Sequence, residues 1–264
     1  MTQPDAIPSR TVYAFTALAF GIAWGIFALF AAFPDQITAL MGEPSGSHPL
    51  FILAVYAPAI SAVILILAHA GPTGLACFLT RLTYWRLPWP WLVFLVIGIP
   101  AIFAMGAILS GKSPAPVAGV TLGALGFMLV LGPVEEFGWR GLMLPLLQRR
   151  MAPLWAGLIV GFVWGIWHLP AFFLGGTPQS NWSLLPSLIG TTALGVIVTP
   201  LFNASKGSLL WAALFHFQVN NPLWPDAQPW DTAVFVVVAA LIVYLNRTTM
   251  LTRQGAVTTV IPPP

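Results

Sequence analysis

An all-α, polytopic bundle of about eight membrane-spanning helices is the fold that this sequence predicts, and three observations predict it. Of 264 residues, 58% are hydrophobic and only 6% charged, whereas a soluble domain carries about 25% charged residues. Apolar stretches recur at roughly 11 to 33, 50 to 70, 89 to 109, 115 to 139, 153 to 174, 183 to 202, 208 to 220 and 231 to 245. About 20 such residues form a helix long enough to cross a hydrocarbon core about 30 Å thick. Alternating these stretches across a bilayer places Arg10, Arg81, Arg86, Arg149, Arg150, Lys206, Arg247 and Arg253 on one side and only Lys112 on the other. By the positive-inside rule the base-rich side and both termini are cytoplasmic. One span more or fewer would destroy this segregation. The expectation is a single integral domain over residues 1–264, multi-pass in the cell (plasma or inner) membrane.

The first stretch has about 22 uncharged residues, too many for the apolar region of a signal peptide, usually about 7 to 15 residues, so it reads as a retained anchor. Pro34 to Pro49 carries Pro, Gly, Ser and acids and reads as a non-cytoplasmic loop with a solvated His48. Gly71 to Pro90 reads as the longest cytoplasmic connection. There Tyr84, Trp85, Trp89 and Trp91 flank Arg81 and Arg86, a mixture that anchors a helix at the membrane interface. Aromatic and basic residues also interleave in single-strand nucleic-acid binders, but the net charge of +3 is spread too thinly for a nucleic-acid partner. The lone Cys77 excludes an internal disulfide and a cysteine metal cluster. Gly157, Gly161 and Gly165, four apart in the fifth stretch, allow another helix to approach closely.

The segment Gly132-Pro133-Val134-Glu135-Glu136-Phe137-Gly138-Trp139-Arg140-Gly141 departs from this pattern by placing three charges inside a span. Each costs about 2.5 to 3.5 kcal/mol at a helix centre if it faces lipid, so all three must face protein or trapped water. On a helix Glu136 and Arg140 share a face and can pair, while Glu135 points about 100° away. The unpaired acid is a candidate functional group; the plainer alternative is one structural network of Glu135, Glu136 and Arg140. Pro133 cannot donate a backbone hydrogen bond, so a kink or local wetting is expected beside the acids. The other polar side chains inside later spans are His168, His216 and Asn220. At 1.5 Å per residue, Glu135, His168 and His216 lie about 20, 22 and 18 Å from their cytoplasmic helix ends. They share a depth and can meet.

Glu135-Glu136-Phe137-Gly138-Trp139-Arg140, Trp164-Gly165-Ile166-Trp167-His168 and His216-Phe217-Gln218-Val219-Asn220 resemble, in order, the EExxxR, FxxxH and HxxxN motifs of the CPBP family. That family, also called Abi, comprises intramembrane proteases, among them CAAX prenyl endopeptidases, and bacteriocin-processing and immunity proteins. Asn203 to Leu210 is similar to the family as well, and the resemblance covers about residues 125–221. Trp164 stands where the family usually has phenylalanine.

The resemblance implies an intramembrane endopeptidase acting on a peptide or lipidated peptide, with Glu135 as base for a water that His168 orients. Further, it implies that His216 and Asn220 supply hydrogen bonds to the oxyanion, while Glu136 and Arg140 hold their helix. A metal-free, glutamate-activated water is the preferred version. Zinc held by Glu135, His168 and His216 is the alternative, since two histidines and a carboxylate match catalytic zinc sites in ligand type. A catalytically silent scaffold or immunity protein of the same fold is the rival outside enzymology. A transporter would be expected to show internal repeats, and none is detectable.

Overall fold

In a computed structural model, which describes residues 7–263, the chain is helical throughout its apolar stretches. Six helices are long and apolar enough to cross a membrane: α1 (Thr11–Ala32), α2 (Ala57–Thr83), α3 (Trp89–Leu109), α4 (Leu122–Gln148), α5 (Pro153–Phe173) and α6 (Leu184–Ala204). The two remaining stretches form the shorter helices α7 (Leu209–Asn220) and α8 (Trp230–Leu245). Twelve residues span only about 18 Å at 1.5 Å each, so α7 relies on its flanking segments to connect the two ends of the bundle.

The loops sort into two sets. At one end Arg81 donates to the carbonyls of Gly207, Gly141 and Val260. Arg149 there donates to Thr258 and Ile7, and Ser208 to Tyr84. Both described chain ends therefore lie with the connections α2–α3, α4–α5 and α6–α7. At the other end Val117 bonds Leu223, Lys112 and Trp182 both reach Asp226, and Ser183 bonds Gln228. Each of the eight helices joins one set to the other, as the charge segregation requires.

Boundaries differ from the sequence reading in two places. The stretch 71–83 is helix rather than loop: Gly71 adopts φ +63°, and a new helical segment begins at Pro72, whose fixed φ suits a first turn. The α2–α3 connection is thereby reduced to a few residues after Thr83. In the fourth stretch helix begins at Leu122 and runs on to Gln148. His48 is buried, not solvated: its Nδ1 accepts from the Leu50 amide as an N-cap, and its ring packs 5.0 Å from Phe30.

Small residues hold α5 to α6. A Cβ at Gly161 would lie 2.7 Å from the Thr191 carbonyl oxygen, and one at Gly195 would lie 2.6 Å from Gly161 Cα. Backbone contact of this kind is what glycine permits in a bilayer, where apolar surface alone gives no drive to associate. Two cores result. Phe15, Phe78, Trp139 and Trp167 belong to one; Phe103, Ile197, Leu201 and Phe235 belong to the other. Val96, Ile97 and Val237 are at least 60% exposed and fit a lipid-facing surface.

Candidate active site

α4 is not a regular helix. After Leu131 it passes through a 3-10 turn at Pro133–Glu135 and a π turn at Trp139–Met143. Pro133 has no amide hydrogen for the carbonyl one turn back, and π turns occur often at functional sites. Glu135 closes the 3-10 turn and Glu136 opens the short α-helical piece between the two irregularities. Close contacts fix the segment: a Cβ at Gly138 would lie 2.6 Å from the Pro58 carbonyl oxygen, and one at Gly141 would lie 2.7 Å from the Phe78 ring.

The two carboxylates have different partners. Glu136 Oε1 accepts from Arg140 Nη1 at 2.9 Å and from His216 Nδ1 at 2.7 Å, with all three side chains 1% exposed. The Arg140 guanidinium also lies 4.9 Å from the Trp164 ring centroid, a cation–π contact. Glu135 Oε2 accepts from Trp164 Nε1 at 2.8 Å and Trp139 Nε1 at 3.3 Å. No protein donor meets Glu135 Oε1 among the described residues. Glu135 is thus not the free acid of the sequence reading but one held by two indoles.

Neither tryptophan was chosen from the sequence. The signal at Trp139 is its place four residues after Glu135, on the same helical face. The signal at Trp164 is its departure from phenylalanine, since only the indole supplies an N–H.

Glu135, His168 and Asn220 line one cavity of about 120 Å³, with Phe27, Phe51, Phe127 and Met128 among its apolar walls. His168 Nδ1 lies 2.9 Å from the Trp164 carbonyl oxygen. A carbonyl only accepts, so Nδ1 carries the hydrogen and Nε2 keeps the lone pair in the neutral ring. His216 Nδ1 likewise donates to Glu136, so its Nε2 is a donor only in the imidazolium. Gly132 places this second histidine: a Cβ there would lie 2.8 Å from Asn220 Nδ2 and 3.0 Å from His216 Nε2. The two nitrogens therefore converge over the backbone one turn before Glu135. Asn220 is exposed on its side chain, whereas His216 is buried.

Among the described residues, no three His, Cys, Asp or Glu side chains gather as metal ligands.

Residues 117–221 match the family model described as type II CAAX prenyl endopeptidase Rce1-like. Over that segment the chain is similar to the CPBP family. It is also 28% identical over 141 residues to a CAAX prenyl protease 2 of Methanococcus maripaludis, 49% of this chain and 52% of that protein. The match spans about half the length of this curated relative. All six site residues, Glu135, Glu136, Arg140, His168, His216 and Asn220, fall inside the matched segment, as do α4 to α7. The cavity's remaining walls come from α1 and the residues before α2, outside it.

Proposed function

We propose that the protein is an intramembrane endopeptidase of the CAAX-protease type, hydrolysing a peptide or lipidated peptide within the cavity. The observation that carries this reading is one cavity lined at once by Glu135, His168 and Asn220. Peptide hydrolysis needs an activated water, stabilisation of the oxyanion and a proton for the leaving amine. A water between Glu135 Oε1 and the lone pair of His168 Nε2 would give its proton to Glu135 while its oxygen attacks the scissile carbonyl carbon. Asn220 Nδ2, and His216 Nε2 in its imidazolium form, would donate to the oxyanion. Collapse breaks the C–N bond, and the proton on Glu135 passes to the departing nitrogen, which restores the carboxylate. Apolar walls suit a lipid-soluble substrate.

In this scheme Glu136 does no bond-making. It neutralises Arg140 and orients His216, so that its removal acts through position.

The test compares membrane peptides of cells carrying the intact protein with those carrying Glu135→Gln. Fragments that depend on the intact protein are expected, and none with the variant. Identical profiles, with both proteins equally abundant, would refute proteolysis and support a catalytically silent scaffold.

A further inference from the structure

The cavity has a side. Its lining includes Gly46, Pro178 and Gln179, which belong to the loops after α1 and after α5. Asn220 is the last residue of α7, and His168 closes the α-helical part of α5 just before those loops. All of these lie at the end of the bundle that holds Asp35, Glu43, Asp226 and a single base, Lys112. Of the nine other bases, Arg140 is buried in its ion pair with Glu136 and eight stand at the opposite end; none of the nine lines the cavity.

Toward that opposite end the way is closed. Below the acids, Leu142, Leu144, Phe202 and Leu209 are each 0% exposed, and Gly141 is pressed against Phe78. Leu142 and Leu144 lie seven and nine residues beyond Glu135, roughly 10 to 14 Å at 1.5 Å per residue. A packed interior has few voids larger than a water molecule, so neither peptide nor bulk water passes there. Lys and Arg near span ends mark the cytoplasmic face.

We propose that the cavity is reached from the non-cytoplasmic side, and that the peptide cleaved is a segment exposed at that face of the membrane rather than a cytoplasmic tail. The proposal takes its substrate from the protease reading; its sidedness stands on charge and packing. Gly46 is the natural probe position, since a Cβ there meets nothing closer than 3.8 Å.

The experiment uses the full chain in cells, with Cys77→Ala as background and single thiols at Gly46→Cys, Gln179→Cys and Gln254→Cys. A membrane-impermeant maleimide is added before or after permeabilisation. Gly46→Cys and Gln179→Cys should be labelled in intact cells, and Gln254→Cys at least tenfold less until the membrane is opened. Labelling of the two cavity positions only after permeabilisation, or not at all, would overturn the proposal. External labelling without any Glu135-dependent fragment would sink the protease and leave the sidedness standing. Glu135-dependent fragments with labelling from inside alone would do the reverse.

Discussion

Trp164→Phe isolates one hydrogen bond. The indole N–H lies 2.8 Å from Glu135 Oε2, while the ring faces Arg140 at 4.9 Å and His216 at 5.3 Å between centroids. Phenylalanine keeps a ring for the cation and loses only the donor and some volume. A hydrogen bond to a charged group contributes about 1.5 to 3 kcal/mol. If it holds the carboxylate in its reactive position, losing it costs roughly 10- to 150-fold in rate, at 1.36 kcal/mol per tenfold. The donor left behind, Trp139 Nε1, is at 3.3 Å and replaces little of this. The assay is cleavage of a quenched fluorescent farnesylated peptide by purified protein, with thermal unfolding in detergent alongside. Trp139→Phe is the comparison: that ring is fully buried and packs on Phe15 and Trp167, so it should lose stability but less rate. A Trp164→Phe enzyme with wild-type rate and midpoint would refute the positioning role. So would a larger rate loss in Trp139→Phe.

Arg140→Ala leaves the buried Glu136 with His216 as its charged partner, and should destabilise by about 3 to 5 kcal/mol; adding Glu136→Gln should recover part of that loss, and a wild-type unfolding midpoint for Arg140→Ala would contradict the pair's structural role. His168→Ala should abolish cleavage with folding retained, whereas Asn220→Ala should keep weak activity, about 100- to 1000-fold down, as for loss of one oxyanion donor. An Asn220→Ala enzyme at full rate would remove that residue from the oxyanion site. Dialysis against chelators should leave the purified protein active, with no stoichiometric zinc by elemental analysis; activity lost to chelator and restored by zinc would favour the metal alternative.

Much of the bundle is legible from the sequence because membrane spans are dictated by length and apolarity. The Gly157, Gly161 and Gly165 stripe announces a close helix contact, which α6 supplies through Gly195 and its threonines. Gly71 and Pro72 are less legible. Either residue alone reads as a helix end, and only the structure shows a helix that breaks and resumes in the same direction. His48 misleads for a different reason. It sits in a polar loop, and burial under the Phe30 ring depends on how that loop folds back over α1.

The same distinction explains the acids. Adjacent residues on a helix point about 100° apart, so the sequence favours different environments for Glu135 and Glu136 while leaving a shared network with Arg140 open. Which environment each meets depends on where α5 and α7 cross α4. Glu136 meets His216 from α7 as well as its own Arg140, and becomes the fixed charge of an ion-pair network. Glu135 meets Trp164 from α5, accepts neutral N–H groups on one oxygen, and lines the cavity. A cation bound directly to a carboxylate holds its electrons in an ion pair, whereas indole donors leave it able to accept a proton. The proposed mechanism accordingly gives proton transfer to the position facing α5 and leaves the position facing α7 to hold the helices together.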